Sequence, residues 1–270
     1  LEKLAEQKDF QQDTYLIERV CGICSFIHSL TYCMGIEELM NIEVPARAKY
    51  LRVVWSELHR MHSHLLALGL LADAFGFENL FMSLWKTRER IMDAMEYTTG
   101  GRVMLGSCCI GGVRKDINPE QKKFVLDQLA TVEKELKSLS HVLLDDYSVK
   151  QRLVGVGVMN RKTAYESGAV GPTARGSGLE MDHRMTGYCA YGELAFQPGV
   201  EQDGDCYSRT KVRVRDLSQS IDLVRTALDR MPDSELKTPF KGNPDGEVAM
   251  RAEQPRGEVL YYLKANGTDK

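Results

Sequence analysis

Two cysteines and a histidine stand close together in the stretch E18-R-V-C-G-I-C-S-F-I-H28. Thiols and an imidazole at this spacing suit soft-metal binding or dithiol redox chemistry. Read as a helix, Cys21, Cys24 and His28 fall at i, i+3 and i+7 on one face. Cys21 would then lie near a helix N-terminus, where the backbone dipole and the adjacent Arg19 both favour thiolate. His28, one turn beyond Cys24, suits a hydrogen bond onto a ligand sulfur as well as direct ligation. The pair therefore reads as half of a four-sulfur metal site, half of a structural zinc site, a redox dithiol, or two cysteines with no ligand. Against zinc stands the lack of a second C-x-x-C, and against a thioredoxin-like dithiol the lack of a preceding strand in an α/β pattern.

The other five cysteines sit at 33, 108, 109, 189 and 206, which makes seven in all. With no secretory signal, reduced thiols in a cytoplasmic protein fit better than a disulfide framework, and Cys108-Cys109 reads as buried packing. A second polar constellation is E57-L-H-R-M-H-S-H-L-L. Glu57, Arg60 and His64 recur at i, i+3 and i+7 on an otherwise apolar helix. They read equally as a buried ion pair that fixes packing or as a proton-transfer stripe. His59 and His62 read as a solvated or partner-facing side.

Long helices must position these groups. The spacing predicts helices from Cys21 to about Met40, from Ala46 to about Phe75 with Pro45 in the first turn, and over roughly 79–98 before Gly100-Gly101. Leu51, Val54, Leu58, Met61, Leu65 and Leu68 give the second helix its apolar stripe. The run N118-P-E-Q opens a fourth helix, with Val125, Leu129, Val132, Leu136, Leu139 and Leu143 at heptad-like spacing. A last long helix is predicted from about Ser208 to Arg230. Residues 151–207 are glycine-rich with short apolar runs and read as short strands and loops, and 233–246 as a polar loop. G257-E-V-L-Y-Y-L-K-A-N-G-T-D-K reads as a strand before an Asn-Gly turn whose return strand is missing.

The fold class is therefore mainly α with a smaller β part (α+β): a bundle of long helices with peripheral short strands. One domain over 1–270 is expected, with about 15–150 and 208–231 in the bundle and about 151–207 and 232–270 rich in strands and loops. Composition is ordinary for a soluble domain: 43% apolar, 27% charged, net charge −3. No basic excess points to nucleic acid. No apolar run is long enough to span a bilayer.

The motifs taken together carry a resemblance. E18-R-V-C-G-I-C-S-F-I-H28 resembles the first cysteine motif of nickel–iron (NiFe) hydrogenase large subunits, R-x-C-G-x-C-x-x-x-H. E57-L-H-R-M-H-S-H-L-L is similar to the E-x-x-R-x-x-S-H-L-L helix shared by energy-converting hydrogenases and the quinone-site subunit of respiratory complex I. I110-G-G-V-R-K-D, V170-G-P-T-A-R-G-S-G, G204-D-C-Y-S-R-T-K-V-R and E253-Q-P-R-G-E follow in the order that superfamily shows. The resemblance spans nearly the whole chain and is nearest to the membrane-associated group, the Ech-type enzymes and the formate hydrogenlyase large subunit.

That resemblance implies a Ni–Fe centre and the reaction H2 ⇌ 2H+ + 2e−. It makes Cys21 a nickel ligand, Cys24 a bridge between nickel and iron, and His28 a neighbour of Cys24. Arg256 would overhang the metals as a fixed cation, with a surface salt bridge as its plainer alternative. Gln254 stands where the family usually has alanine. Implied partners are a small subunit with an iron–sulfur cluster and membrane subunits of an ion-translocating complex. H2 and protons are the implied substrates. The implied place is cytoplasmic, peripheral on the inner face of the cell membrane.

The family's second motif, D-P-C-x-x-C, is not in these 270 residues. The chain thus reads as a fragment lacking both termini, with the centre empty and no activity by itself. The cysteine pair favours a hydrogenase. The alternatives are a quinone- or sulfur-linked oxidoreductase of the complex I type, or a non-catalytic structural subunit on the same scaffold.

Overall fold

A computed structural model describes residues 1–269. Two short helices, α1 (Glu2–Ala5) and α2 (Asp13–Glu18), lead into α3 (Ser25–Leu39), α4 (Ala46–Ala74) and α5 (Glu78–Thr99). A minimal hairpin follows, β1 (Cys108–Cys109) with β2 (Gly112–Val113), and then α6 (Pro119–Asp145). The region after it holds α7 (Tyr147–Leu153), α8 (Arg161–Glu166), α9 (Gly171–Gly176) and two 3-10 turns, His183–Thr186 and Tyr191–Glu193. Helix α10 (Cys206–Arg230) returns to the bundle, and an antiparallel hairpin closes the order, β3 (Asp245–Gln254) with β4 (Gly257–Asn266).

The long helices form where propensity, caps and apolar spacing agree. Asn118 and Gln121 make a reciprocal capping box, Pro119 takes the first turn, and Val125, Leu129, Val132, Leu136, Leu139 and Leu143 are all buried. Gly100, at φ +86°, closes α5. Pro45 precedes α4 in extended conformation rather than occupying its first turn.

Helix α4 is the axis of the bundle. It packs on α5 along one side and on α10 along another, with β2 and α3 also in contact. A single stripe therefore understates its burial. Besides Leu51, Val54, Leu58, Met61, Leu65 and Leu68, it buries Arg52, Ser56, Glu57, His59, Arg60, His62, Ser63 and His64. His59 and His62, expected on a solvated side, are fully enclosed. The stripe marked one face, whereas neighbouring helices cover the others.

Three further expectations are corrected. Helix α3 starts at Ser25, so Cys21 lies in the turn before it and Cys24 is its N-cap. Residues 151–207 contain short helices and 3-10 turns and no strand; their glycines separate helical turns. The last strand does not lack a partner. β4 pairs with β3 along its whole length, from Gln254↔Gly257 to Asp245↔Asn266. Pro255 and Arg256 form the two-residue turn, and D245-G-E-V-A-M-R-A-E-Q is the upstream strand, whose first two residues fall in the expected 233–246 loop. The hairpin lies on α3, where Gly35 makes room: a side-chain carbon there would stand 2.6 Å from Leu263 Cδ1.

Burial holds four histidines neutral. His28, His59, His62 and His64 are lowered to about 4, 3, 2 and 4. An unfolded chain protonates them near about 6.5. Because the folded values are depressed, this stability is complete above the unfolded value and is lost as pH falls below it. Each histidine adds about 1.4 kcal/mol per pH unit to the slope until its folded value is reached. Urea unfolding at pH 7, 6 and 5 should show this steepening loss, and His59→Phe with His62→Leu should flatten it. An unchanged slope in that double variant would contradict the burial account.

Candidate metal centre

Cys21, Cys24 and His28 present ligand atoms that all lie within 4.8 Å of one another, the only such group of three or more Cys, His, Asp or Glu among the described residues. They converge because the turn before α3 brings Cys21 back over the helix start, while Cys24 and His28 stand one turn apart. Cys24 is fully buried, His28 nearly so, and Cys21 half-buried.

The hairpin turn supplies the rest. Arg256 Nη2 donates to Cys21 Sγ at 3.0 Å and to Cys24 Sγ at 3.2 Å. The Cys24 thiol donates to Gln254 Oε1 at 2.8 Å. His28 Nε2 stands 3.5 Å from Cys24 Sγ, and its Nδ1 is 2.8 Å from the Tyr261 hydroxyl. Strand β4 thereby fixes the imidazole plane, and a neutral ring can turn an N–H toward the sulfur. The turn is itself clamped: a side-chain carbon on Gly257 would stand 2.6 Å from the Gly171 nitrogen at the start of α9.

The surroundings push the two thiols in opposite directions. Burial pushes the Cys24 thiol up to about 12, and the neighbouring Cys21 adds to this. Burial also acts to raise Cys21, but the Ile23 N–H, its bond with Cys24 and the Arg256 cation together leave it below the ordinary thiol value. Cys21 is thus the more acidic of the two thiols and Cys24 the less acidic. Two sulfurs and an imidazole with a fixed cation beside them are a soft, anionic, partial ligand set. Their chemistry fits nickel or iron, and the set leaves coordination positions for other ligands.

The remaining sequence candidates lie elsewhere. Arg19 is exposed and donates to the Tyr15 carbonyl at 2.6 Å, so the cation at Cys21 is Arg256. Glu57 and His64 do not touch the cysteines. Glu57 takes Arg60 Nε at 3.2 Å, Arg184 Nη1 at 3.3 Å, Ser220 Oγ at 2.6 Å and the Tyr191 hydroxyl at 2.5 Å. Burial would raise its carboxyl, but Arg60 and Arg184 hold it below the ordinary value. His64 bonds Asp216 at 3.2 Å rather than joining Glu57. Arg175 binds the same Asp216 with two bonds and lies 3.8 Å from Asp182, which pairs with Arg184.

This knot reaches the centre through Glu253, one residue before Gln254. Arg60 Nη2 donates to the Glu253 carbonyl at 2.8 Å, the Glu253 N–H donates to the Tyr188 hydroxyl, and the His183 N–H donates to its carboxylate. The sequence motifs contained Arg175 and Glu253 without assigning them. Gln254 stands out in the sequence only as a departure from the family's alanine. Tyr261 carries a weak signal, the strand alternation that puts it on the α3 side of the hairpin.

Comparison with known proteins matches residues 1–72 to nickel-dependent hydrogenases and residues 74–242 to the 49 kDa subunit of respiratory-chain NADH dehydrogenase. The chain belongs to this hydrogenase and 49 kDa subunit family. It is 42% identical over 275 residues to the membrane-bound hydrogenase subunit alpha of Pyrococcus furiosus, covering 96% of this chain and 64% of that protein. It is 37% identical to the carbon monoxide-induced hydrogenase of Rhodospirillum rubrum, covering 100% of this chain and 76% of that protein. Its fold matches a chain of the membrane-bound sulfane sulfur reductase, an archaeal respiratory membrane complex. The TM-score is 0.94 at 30% identity, over 99% of this chain and 75% of the other. Among the described residues no helix is long and apolar enough to cross a membrane. The hydrogenase match covers the cysteine turn, α3 and nearly all of α4.

The site geometry sets a direct expectation. Arg256→Ala removes the cation shared by the two sulfurs, so alkylation of Cys21 by iodoacetamide at pH 7 should slow by roughly three- to ten-fold. An unchanged rate would mean that Arg256 does not lower the Cys21 thiol.

Proposed function

We propose that this chain is the catalytic part of the large subunit of an energy-converting hydrogenase, interconverting H2 with protons and electrons. The observation that carries the reading is Arg256 donating to both Cys21 and Cys24 with His28 alongside. A structural helix end has no need of two convergent thiols under one shared cation.

Cys21 and Cys24 are the residues that would hold a nickel–iron pair, with His28 against the Cys24 sulfur. When bound, that pair supplies Lewis-acid polarisation of H2 and a store for electrons. The protein's own residues then have separable tasks. Cys21, whose thiol is held below its ordinary value, would give up its proton more readily on ligation than Cys24. Cys24 gives up its proton on ligation, after which the Gln254 amide turns its NH2 toward the sulfur in place of its carbonyl. Arg256 keeps a positive charge over the sulfurs and stabilises anionic states of the site. Tyr261 holds His28 in one orientation. Glu57 and His64 act at a distance, through the knot that holds the hairpin turn.

Electrons need an exit, and the described residues hold no second thiol cluster. A small subunit with an iron–sulfur cluster is the proposed acceptor. Membrane subunits of an ion-translocating complex are the proposed anchor on the inner face of the cell membrane. The names of the relatives, which are membrane-bound or respiratory complexes, support this assembly. A second reading keeps the scaffold and changes the acceptor to a quinone or sulfur compound. The 49 kDa match over residues 74–242 and the likeness to the sulfane sulfur reductase favour it.

Metal analysis of the intact complex separates the two. The hydrogenase reading expects stoichiometric nickel and iron with H2 uptake, both lost in Cys21→Ser and Cys24→Ser. A complex without nickel that reduces a quinone or sulfur compound would replace it with the second reading. The 270-residue chain alone, with two cysteine sulfurs and one imidazole at the site, is expected to hold no stoichiometric nickel and to take up no H2. Stoichiometric nickel with uptake in that chain would contradict the partial ligand set.

A further inference from the structure

Helix α4 carries a row of buried polar atoms with no protein partner. Ser56, His59 and His62 follow at intervals of three along one side. The Ser56 hydroxyl and all four ring nitrogens of the two histidines are unpartnered, and all three side chains are fully enclosed. The two rings stand 5.8 Å apart, centre to centre. Helix α5 continues the row, with Arg88 Nε and Trp85 Nε1 also unpartnered. Arg88 is close enough to His62 to lower its basicity, and Trp85 packs on Gly69, two turns beyond His62.

The row has two distinct ends. At Arg88 it meets the surface, where this side chain is 12% exposed and stands 3.6 Å from the exposed Glu89. At the other end, the Phe26 ring lies 6.2 Å from His59 and 6.0 Å from Trp55. Phe26 is in the first turn of α3, two residues from Cys24.

A neutral imidazole offers one N–H and one lone pair, and each costs free energy if it is buried without a partner. The neighbouring positions Leu58, Met61 and Leu65 are apolar, so the seam is not built for general polarity. Water supplies donors and acceptors in either order and is the usual partner of such enclosed groups.

We propose that the α4–α5 seam holds a file of ordered water that conducts protons between the Arg88 surface end and the core behind Cys24, with His59 and His62 as relays. The use of those protons at the cysteine site rests on the hydrogenase reading, whereas the water itself does not. In each relay an imidazole accepts a proton on one ring nitrogen from the water on one side. It releases the proton of its other nitrogen to the water on the far side. Charge is conserved, and the ring then returns to its first tautomer.

Two measurements on the intact complex test this. A structure that resolves water should show density within hydrogen-bonding distance of the ring nitrogens of both His59 and His62. A dry seam overturns the proposal, whatever the complex catalyses. Turnover of His62→Leu, with H2 or with whichever acceptor the complex reduces, should fall at least about ten-fold. Its solvent isotope effect should rise, nickel and iron should stay unchanged, and His62→Gln should recover part of the rate. Undiminished turnover in His62→Leu, or equal loss in Leu and Gln variants, overturns the conducting role. Absence of H2 activity with a wet seam and a slowed alternative acceptor would defeat the hydrogenase reading and leave this one standing.

Discussion

Glu57 is a fully enclosed carboxylate between two fully enclosed arginines, and the arrangement of the core follows from satisfying it. Arg60 comes from its own helix, Arg184 from a 3-10 turn, Ser220 from α10 and Tyr191 from a second 3-10 turn. Three regions far apart in sequence, α4, the stretch 183–193 and α10, must meet at one anion. Removing a charge from water costs several kcal/mol, so such a group persists only where partners from all sides reach it. Asp182, Arg175 and Asp216 extend the same alternation of charge into α9 and α10, and the neutral His64 bonds Asp216. The knot ties the bundle to the irregular region, and Arg60 ties it to the strand that ends at the cysteines.

This division of labour explains why the thiol pair sits on irregular backbone. Cys21 lies outside any helix and is held from above by a hairpin turn, so its position depends on the β3–β4 hairpin as much as on α3. The hairpin lies on α3 at Gly35, is clamped at Gly257 by the start of α9, and is bonded at Glu253 by the knot. Three independent restraints meet within a few residues of Arg256. A cation placed this way helps to hold the Cys21 thiol below its ordinary value, while burial raises the Cys24 thiol.

Much of this was legible in the residues themselves, for identifiable reasons. The α6 stripe and its Asn118 cap are local features, and local features survive into the fold. The Cys21-x-x-Cys24 pair and Arg256 stand in short motifs, and the structure brings them together. The burial of His59 and His62 was not legible, because a stripe on α4 says which face is most apolar and nothing about how many neighbours surround it. Strand β3 was hidden by charged residues on its outward face and a glycine near its start. The partners of Glu57 were hidden by distance: Arg184 is 127 residues away and Ser220 is 163. His64 has the right spacing to face Glu57, yet α10 offers it Asp216 instead.

The geometry at the cysteines depends on the Glu57 knot positioning the hairpin. Urea unfolding and amide hydrogen exchange of Glu57→Gln measure this together. The expected result is a loss of about 3–5 kcal/mol, as for a broken buried ion pair, with exchange at the Glu253 and Gly257 amides quickening under conditions where the bundle remains folded. Stability within about 1 kcal/mol of the parent, as for an ordinary exposed substitution, together with unchanged exchange at those amides, would contradict it.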